Sequence, residues 1–135
     1  MRRLGERLYA ETGFQWANVG AAVSEEGVLL VDCPVRPSDS LRWREGLRPL
    51  SPKGIRYLIA TDYHGDHTTG AAFVGDVTFI APQRVYEKIA GAGGKDPFSK
   101  QIFVETLKDQ GHAEEAAEIE AAIVPPPQIC FDETL

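Results

Sequence analysis

One hexapeptide constrains this chain more than any other stretch. Asp62-Tyr63-His64-Gly65-Asp66-His67 follows directly on the apolar run 55–60. Two of the chain's three histidines stand three residues apart here, interleaved with the carboxylates Asp62 and Asp66. In open α/β sheets, ligands bind outside the carboxyl ends of the strands, so composition and location agree. If the strand conformation persists past residue 60, Asp62 and His64 project to one face, because strand side chains alternate. Gly65 then lets the chain turn, and Asp66 and His67 can face the same cavity from a second direction. Imidazole with carboxylate suits zinc, iron or manganese better than calcium. The plainer alternative is a polar loop whose histidines make surface hydrogen bonds. Four potential ligands within six residues, placed after a buried strand, favour a metal site with Asp62, His64, Asp66 and His67 as ligands.

The flanking pattern is α/β. Residues 7–10 form a short apolar run. Runs 19–24 and 27–32 are joined by Ser24-Glu25-Glu26-Gly27, a hairpin signal. Val28-Leu29-Leu30-Val31 is continuously apolar, as in a strand covered on both faces. Ser38, Asp39 or Ser40 is expected to cap a helix over 41–46. Strands are expected at 55–60 and 77–80, and a helix through 85–90 after Pro82. Gly91-Ala92-Gly93-Gly94 reads as a flexible break, followed by helices over 99–110 and 113–122. Pro125-Pro126-Pro127 stops the second, and 128–131 begins a new strand. Alternation of strands and helices from about residue 28 gives an α/β fold.

At 135 residues the default is one domain. No apolar run approaches the ~20 residues needed to span a membrane, and no signal peptide is read at the N-terminus. Cytoplasmic residence is the expectation. The net charge of −6 argues against nucleic-acid binding. Six basic residues in 36–56 and six acidic ones in 105–120 read as solvated helix faces. Cys33 and Cys130 make no disulfide framework, and both read as small buried hydrophobes.

Thr61-Asp62-Tyr63-His64-Gly65-Asp66-His67-Thr68-Thr69-Gly70 resembles the Thr-His-x-His-x-Asp-His-x-x-Gly signature of the metallo-β-lactamase fold superfamily. Asn18-Val19-Gly20 with Gly27-Val28-Leu29-Leu30-Val31-Asp32 resembles that family's opening hairpin. Ile55-Arg56-Tyr57-Leu58-Ile59 resembles its strand before the motif. Pro126-Pro127 with Phe131-Asp132 resembles its linker into a second half.

The resemblance implies one half of a four-layer αββα sandwich: a mixed sheet with helices on one face. The chain would be a single truncated domain: a core with the motif over 1–90, a helical segment over 91–124, and the start of a second half over 125–135. It also implies a hydrolase holding one or two zinc ions and acting on a small-molecule ester, thioester, lactone or amide. There Asp66 would orient the attacking water or accept its proton. Two departures stand out. Asp62 occupies the position of the motif's first histidine, and the family's remaining ligands come from a second half not seen here. His112 lies beside an acidic helix and is not expected to replace them. Asp32 is expected to hydrogen-bond the motif loop. The alternative function is a non-catalytic remnant or interaction module with a weak metal site. An apolar sheet face without its second layer is expected to give a homodimer, a complex with a complementary second-half chain, or poor solubility.

Overall fold

The protein is described by a computed structural model over residues 1–94 and 100–132. Seven strands form one sheet in chain order. Strands β1 (Arg2–Arg3), β2 (Leu8–Glu11), β3 (Val19–Ser24) and β4 (Gly27–Val31) are an antiparallel meander. Strands β5 (Ile55–Ile59), β6 (Thr78–Pro82) and β7 (Ile129–Phe131) continue it in parallel. The β3–β4 hairpin pairs Ser24 with Gly27 across Glu25-Glu26, as the polar turn between two apolar runs predicts.

Parallel pairing requires crossovers, and these carry the helices. Helix α1 (Pro37–Leu47) links β4 to β5, the four-residue α2 (Gly65–Thr68) follows β5, and α3 (Gln83–Gly91), α4 (Lys100–Asp109) and α5 (Ala113–Ala121) lie between β6 and β7. No described helix is long and apolar enough to cross a membrane. The period of two sends Val19, Ala21, Val28, Leu30, Leu58, Phe79 and Ala81 to one face, where they bury against Trp43, Leu47, Val85 and Ile89. Val35 packs with Phe103, Val104 and Leu107 of α4 and Ala116 and Ile119 of α5 in a second cluster. The mixed sheet with helices on one face is the expected half-sandwich. On its other face Leu29, Val31, Ile59 and Ile80 are half-buried, and Tyr57 is exposed.

Several local expectations are corrected. None of Ser38, Asp39 and Ser40 is the N-cap of α1: Arg36 holds that position without a cap bond from its own side chain, and Pro37 starts the helix, its fixed φ suiting that position. Helix α3 runs into the glycine segment as far as Gly91. Gly94 (φ +74) is a close-packing position rather than a simple break, since a Cβ there would lie 2.6 Å from the Ile123 side chain and 2.8 Å from the Val124 carbonyl oxygen. Residue 99, the expected start of α4, lies outside the described residues. Cys33 is buried but Cys130 is exposed, because β7 is the last strand paired in the sheet.

The two charged stretches are not purely solvated. Glu115 of α5 reaches back to the start of α1, pairing with Arg36 and accepting from the Ser38 N–H (3.1 Å) and hydroxyl (2.5 Å). Burial pushes the Glu115 carboxyl up, but these donors outweigh it and hold it below the usual range. A lowered carboxyl contributes stability above its unfolded pKa and loses it as pH falls through the folded value. Glu115→Ala should therefore cost about 2 kcal/mol at pH 7. In urea unfolding the gap from wild type should close as pH drops below about 4.

Candidate metal centre

Parallel pairing puts the C-terminal ends of β4, β5 and β6 on one edge of the sheet. Asp32 follows β4, the Asp62–His67 segment follows β5, and α3 follows β6. Ligands bind at this kind of edge in open α/β sheets.

Asp32 is the anchor. It is 5% exposed and sits in the left-handed region at φ +57, which aspartate tolerates better than most residues. Its Oδ1 accepts the Thr61 backbone N–H at 2.8 Å and its Oδ2 the Thr61 hydroxyl at 2.7 Å. The same Oδ2 lies 3.0 Å from His67 Nδ1. Asp32 thus bonds the motif loop as the sequence suggests, and it also orients a motif histidine. The Cys33 thiol donates to the His67 carbonyl at 3.2 Å. Burial, followed by the nearby Asp32 charge, pushes that thiol far up, so Cys33 stays a neutral packing group.

The strand does not persist through the motif. It ends at Ile59, and the chain turns through bends into α2, which starts at Gly65. The His64 carbonyl accepts the N–H groups of His67 (3.0 Å) and Thr68 (3.2 Å) and the Thr68 hydroxyl (3.0 Å). This helical turn reverses the chain direction.

Two side-chain contacts link the four motif residues, Asp62 with His64 and Asp66 with His67. Asp62 Oδ1 accepts the His64 backbone N–H at 3.0 Å and lies 2.6 Å from His64 Nδ1. That is a local Asx turn plus a short hydrogen bond. Burial pushes the Asp62 carboxyl up, but the His64 bonds outweigh it and leave it below the usual range. His67 Nε2 and Asp66 Oδ2 are 3.4 Å apart. Two ligands at ~2.0–2.1 Å from a tetrahedral ion stand about 3.4 Å apart, whereas a 2.6 Å separation is that of donor and acceptor. Burial lowers the His67 pKa, but its bond to Asp32 and the charges of Asp32, Asp66 and Asp62 outweigh this and raise it.

Zinc fits this donor set only in part. Asp66 and His67 have the spacing of two ligands, and Asp32 holds Nδ1 in the manner of an outer-shell carboxylate. A catalytic zinc site has three protein ligands. Among the described residues, no three His, Cys, Asp or Glu side chains are grouped to hold an ion. In the Asp62–His64 pair the bond engages Oδ1 and Nδ1 and leaves His64 Nε2 outside it. His112, the N-cap residue of α5, is exposed and belongs to neither pair.

Sequence reasoning missed the neighbours of Tyr63. Its ring stacks on His64 (centroids 4.3 Å apart, planes 25°) and is partly buried against the core. The Arg84 guanidinium lies 4.7 Å and the Lys88 ammonium 5.5 Å from the ring centroid. The available signal was two cations one helical turn apart on the helix after β6, beside the motif strand.

Comparison with known proteins agrees with this fold. Residues 16–134 match the metallo-beta-lactamase superfamily. Among solved structures, a metallo-beta-lactamase from Hirschia baltica is similar at TM-score 0.61 and 14% identity, covering 99% of this chain and 52% of that one. The DIM-1 metallo-beta-lactamase is similar at TM-score 0.60 and 13% identity, covering 98% and 50%. The sec-alkylsulfatase Pisa1 from Pseudomonas sp. is similar at TM-score 0.55 and 22% identity, covering 70% and 16%. At these identities the likeness is one of fold, and the chain spans about half the length of the two lactamases. Among curated proteins, none matches. With its motif, its half-sandwich sheet and a match over most of its length, the chain belongs to the metallo-beta-lactamase superfamily of metallo-hydrolases.

Proposed function

We propose that this chain on its own is a non-catalytic module of the superfamily carrying a weak metal site. The ion would be zinc, or iron or manganese, held by Asp66 and His67 with Asp32 orienting the histidine. One observation carries this reading: Asp66 and His67 are spaced for a common ion, while Asp62 and His64 are bonded to each other. Two ligands give far less binding free energy than the ~10–16 kcal/mol of structural zinc sites.

The apolar open face supports a second reading. A second copy of this chain or a complementary second-half sheet would cover it, and the second-half sheet would also supply further ligands. Asp66 would then act on the attacking water of a small-molecule ester, thioester, lactone or amide.

Zinc calorimetry combined with an ester, lactone and β-lactam panel tests both. We expect micromolar or weaker affinity and no turnover. Binding should disappear in His67→Ala and survive in His64→Ala. It should weaken by about 10-fold or more in Asp32→Asn, and tighten in Asp62→His, which frees His64 and restores the motif's first imidazole. Tight stoichiometric binding that survives His67→Ala would show that the ligands are other residues. Turnover that climbs steeply with protein concentration would favour the second reading.

A further inference from the structure

The residues beside the motif suggest what kind of molecule this edge of the sheet recognises. Arg84 and Lys88 lie one turn apart on α3, and both stand over the ring of Tyr63, the residue between Asp62 and His64. The ring is fixed by its stack on His64 and its packing on the core. It therefore holds two positive charges next to the motif, on side chains that would otherwise sample many rotamers. Neither cation makes an ion pair among the described residues, although the chain carries 20 acidic against 14 basic side chains. Arg36, Arg42, Lys53 and Lys108 have carboxylate partners, whereas Arg44, Arg48 and Arg56, like Arg84 and Lys88, form no ion pair among the described residues. Asp62, the nearest motif carboxylate in sequence to Tyr63, directs its Oδ1 to His64.

We propose that Arg84 and Lys88, backed by Tyr63, form an anion-recognition patch on the surface beside the metal motif. It would take the oxyanion of a small molecule: a carboxylate, phosphate or sulfate group. An arginine fork binds such a group bidentately while a lysine adds a point charge. The three parallel strand ends explain the placement, since β6 and α3 deliver both cations to the edge where β4 and β5 deliver Asp32 and the motif. The inference deepens the reading of this edge as a ligand site and rests on it for its relevance to a substrate.

The test keeps the two apart by leaving metal out. Inorganic phosphate is titrated into the whole chain in EDTA, followed by backbone amide shifts in NMR. We expect saturable shifts centred on Tyr63, Arg84 and Lys88, weakening as salt rises. The Arg84→Ala/Lys88→Ala double variant should weaken binding at least 10-fold. Arg84→Lys should lose part of it, and His67→Ala should keep it. Arg48→Ala, on a cation remote from the motif in sequence, controls for nonspecific attraction. Absent saturation, or equal binding by the double variant and wild type, overturns the proposal. Phosphate binding as expected here, with no zinc binding by the wild type in the separate calorimetry, would count against the metal reading alone.

Discussion

Gly70→Ala should be the most damaging small substitution in this chain, costing about 3 kcal/mol or more. Gly70 closes the ten-residue motif segment and lies where the loop crosses the end of β4. A Cβ there would stand 2.0 Å from the Pro34 carbonyl oxygen, 2.8 Å from its carbon and 3.1 Å from Cys33 Sγ. The first two are backbone atoms and cannot rotate away. The loop would have to lift from the 33–34 segment, breaking the Cys33–His67 bond beneath the motif. Against a typical total stability of 5–15 kcal/mol, that is a large share. Urea unfolding measures it directly. A loss below about 1 kcal/mol would mean that the loop moves aside freely and that this contact does not position the motif.

Asp32→Ala should come next, at about 3 kcal/mol. It strips both Thr61 donors of a charged acceptor, removes the partner of His67, and leaves alanine in the left-handed region. Asp32→Asn keeps the shape and tolerates that backbone but loses the charge, so its cost should be smaller and pH-dependent. The His67 pKa is raised in the fold, burial notwithstanding, by Asp32 first and then Asp66 and Asp62. A raised histidine contributes stability that is complete below its unfolded pKa of about 6.5 and is lost as pH rises through the folded value. The gap between wild type and Asp32→Asn should therefore be wider at pH 5.5 than at pH 8.5. A gap that is flat or widens toward alkaline pH would falsify the assignment of Asp32 as the partner of protonated His67.

Much of this architecture is legible in local pattern. Period-two and continuous apolar runs mark β3, β4, β5 and β6, because burial of a strand face leaves its trace in consecutive residues. The motif marks the edge where a site forms. What stayed hidden depends on contacts between distant segments. Nothing near residue 115 signals that Glu115 will meet Arg36 and Ser38. Nothing near Cys130 signals an outermost strand. The Asp62–His64 contact was partly foreshadowed. A carboxylate two residues before a backbone N–H readily closes an Asx turn, and strand alternation cannot express that. Arg84 and Lys88 needed the sheet order before they could be placed beside Tyr63.

That sheet order bears on how the chain assembles during synthesis. Each strand's partner is the strand made just before it, so pairing can advance from the N-terminus without waiting for a later segment to be inserted. Early contacts in β1 to β4 span short loops and incur little closure entropy. The long excursion from β6 to β7 comes last, and with it the Arg36–Glu115 tie across 79 positions. The meander can thus act as a template on which the parallel strands are laid in turn, and the metal-motif edge forms before the final helices dock.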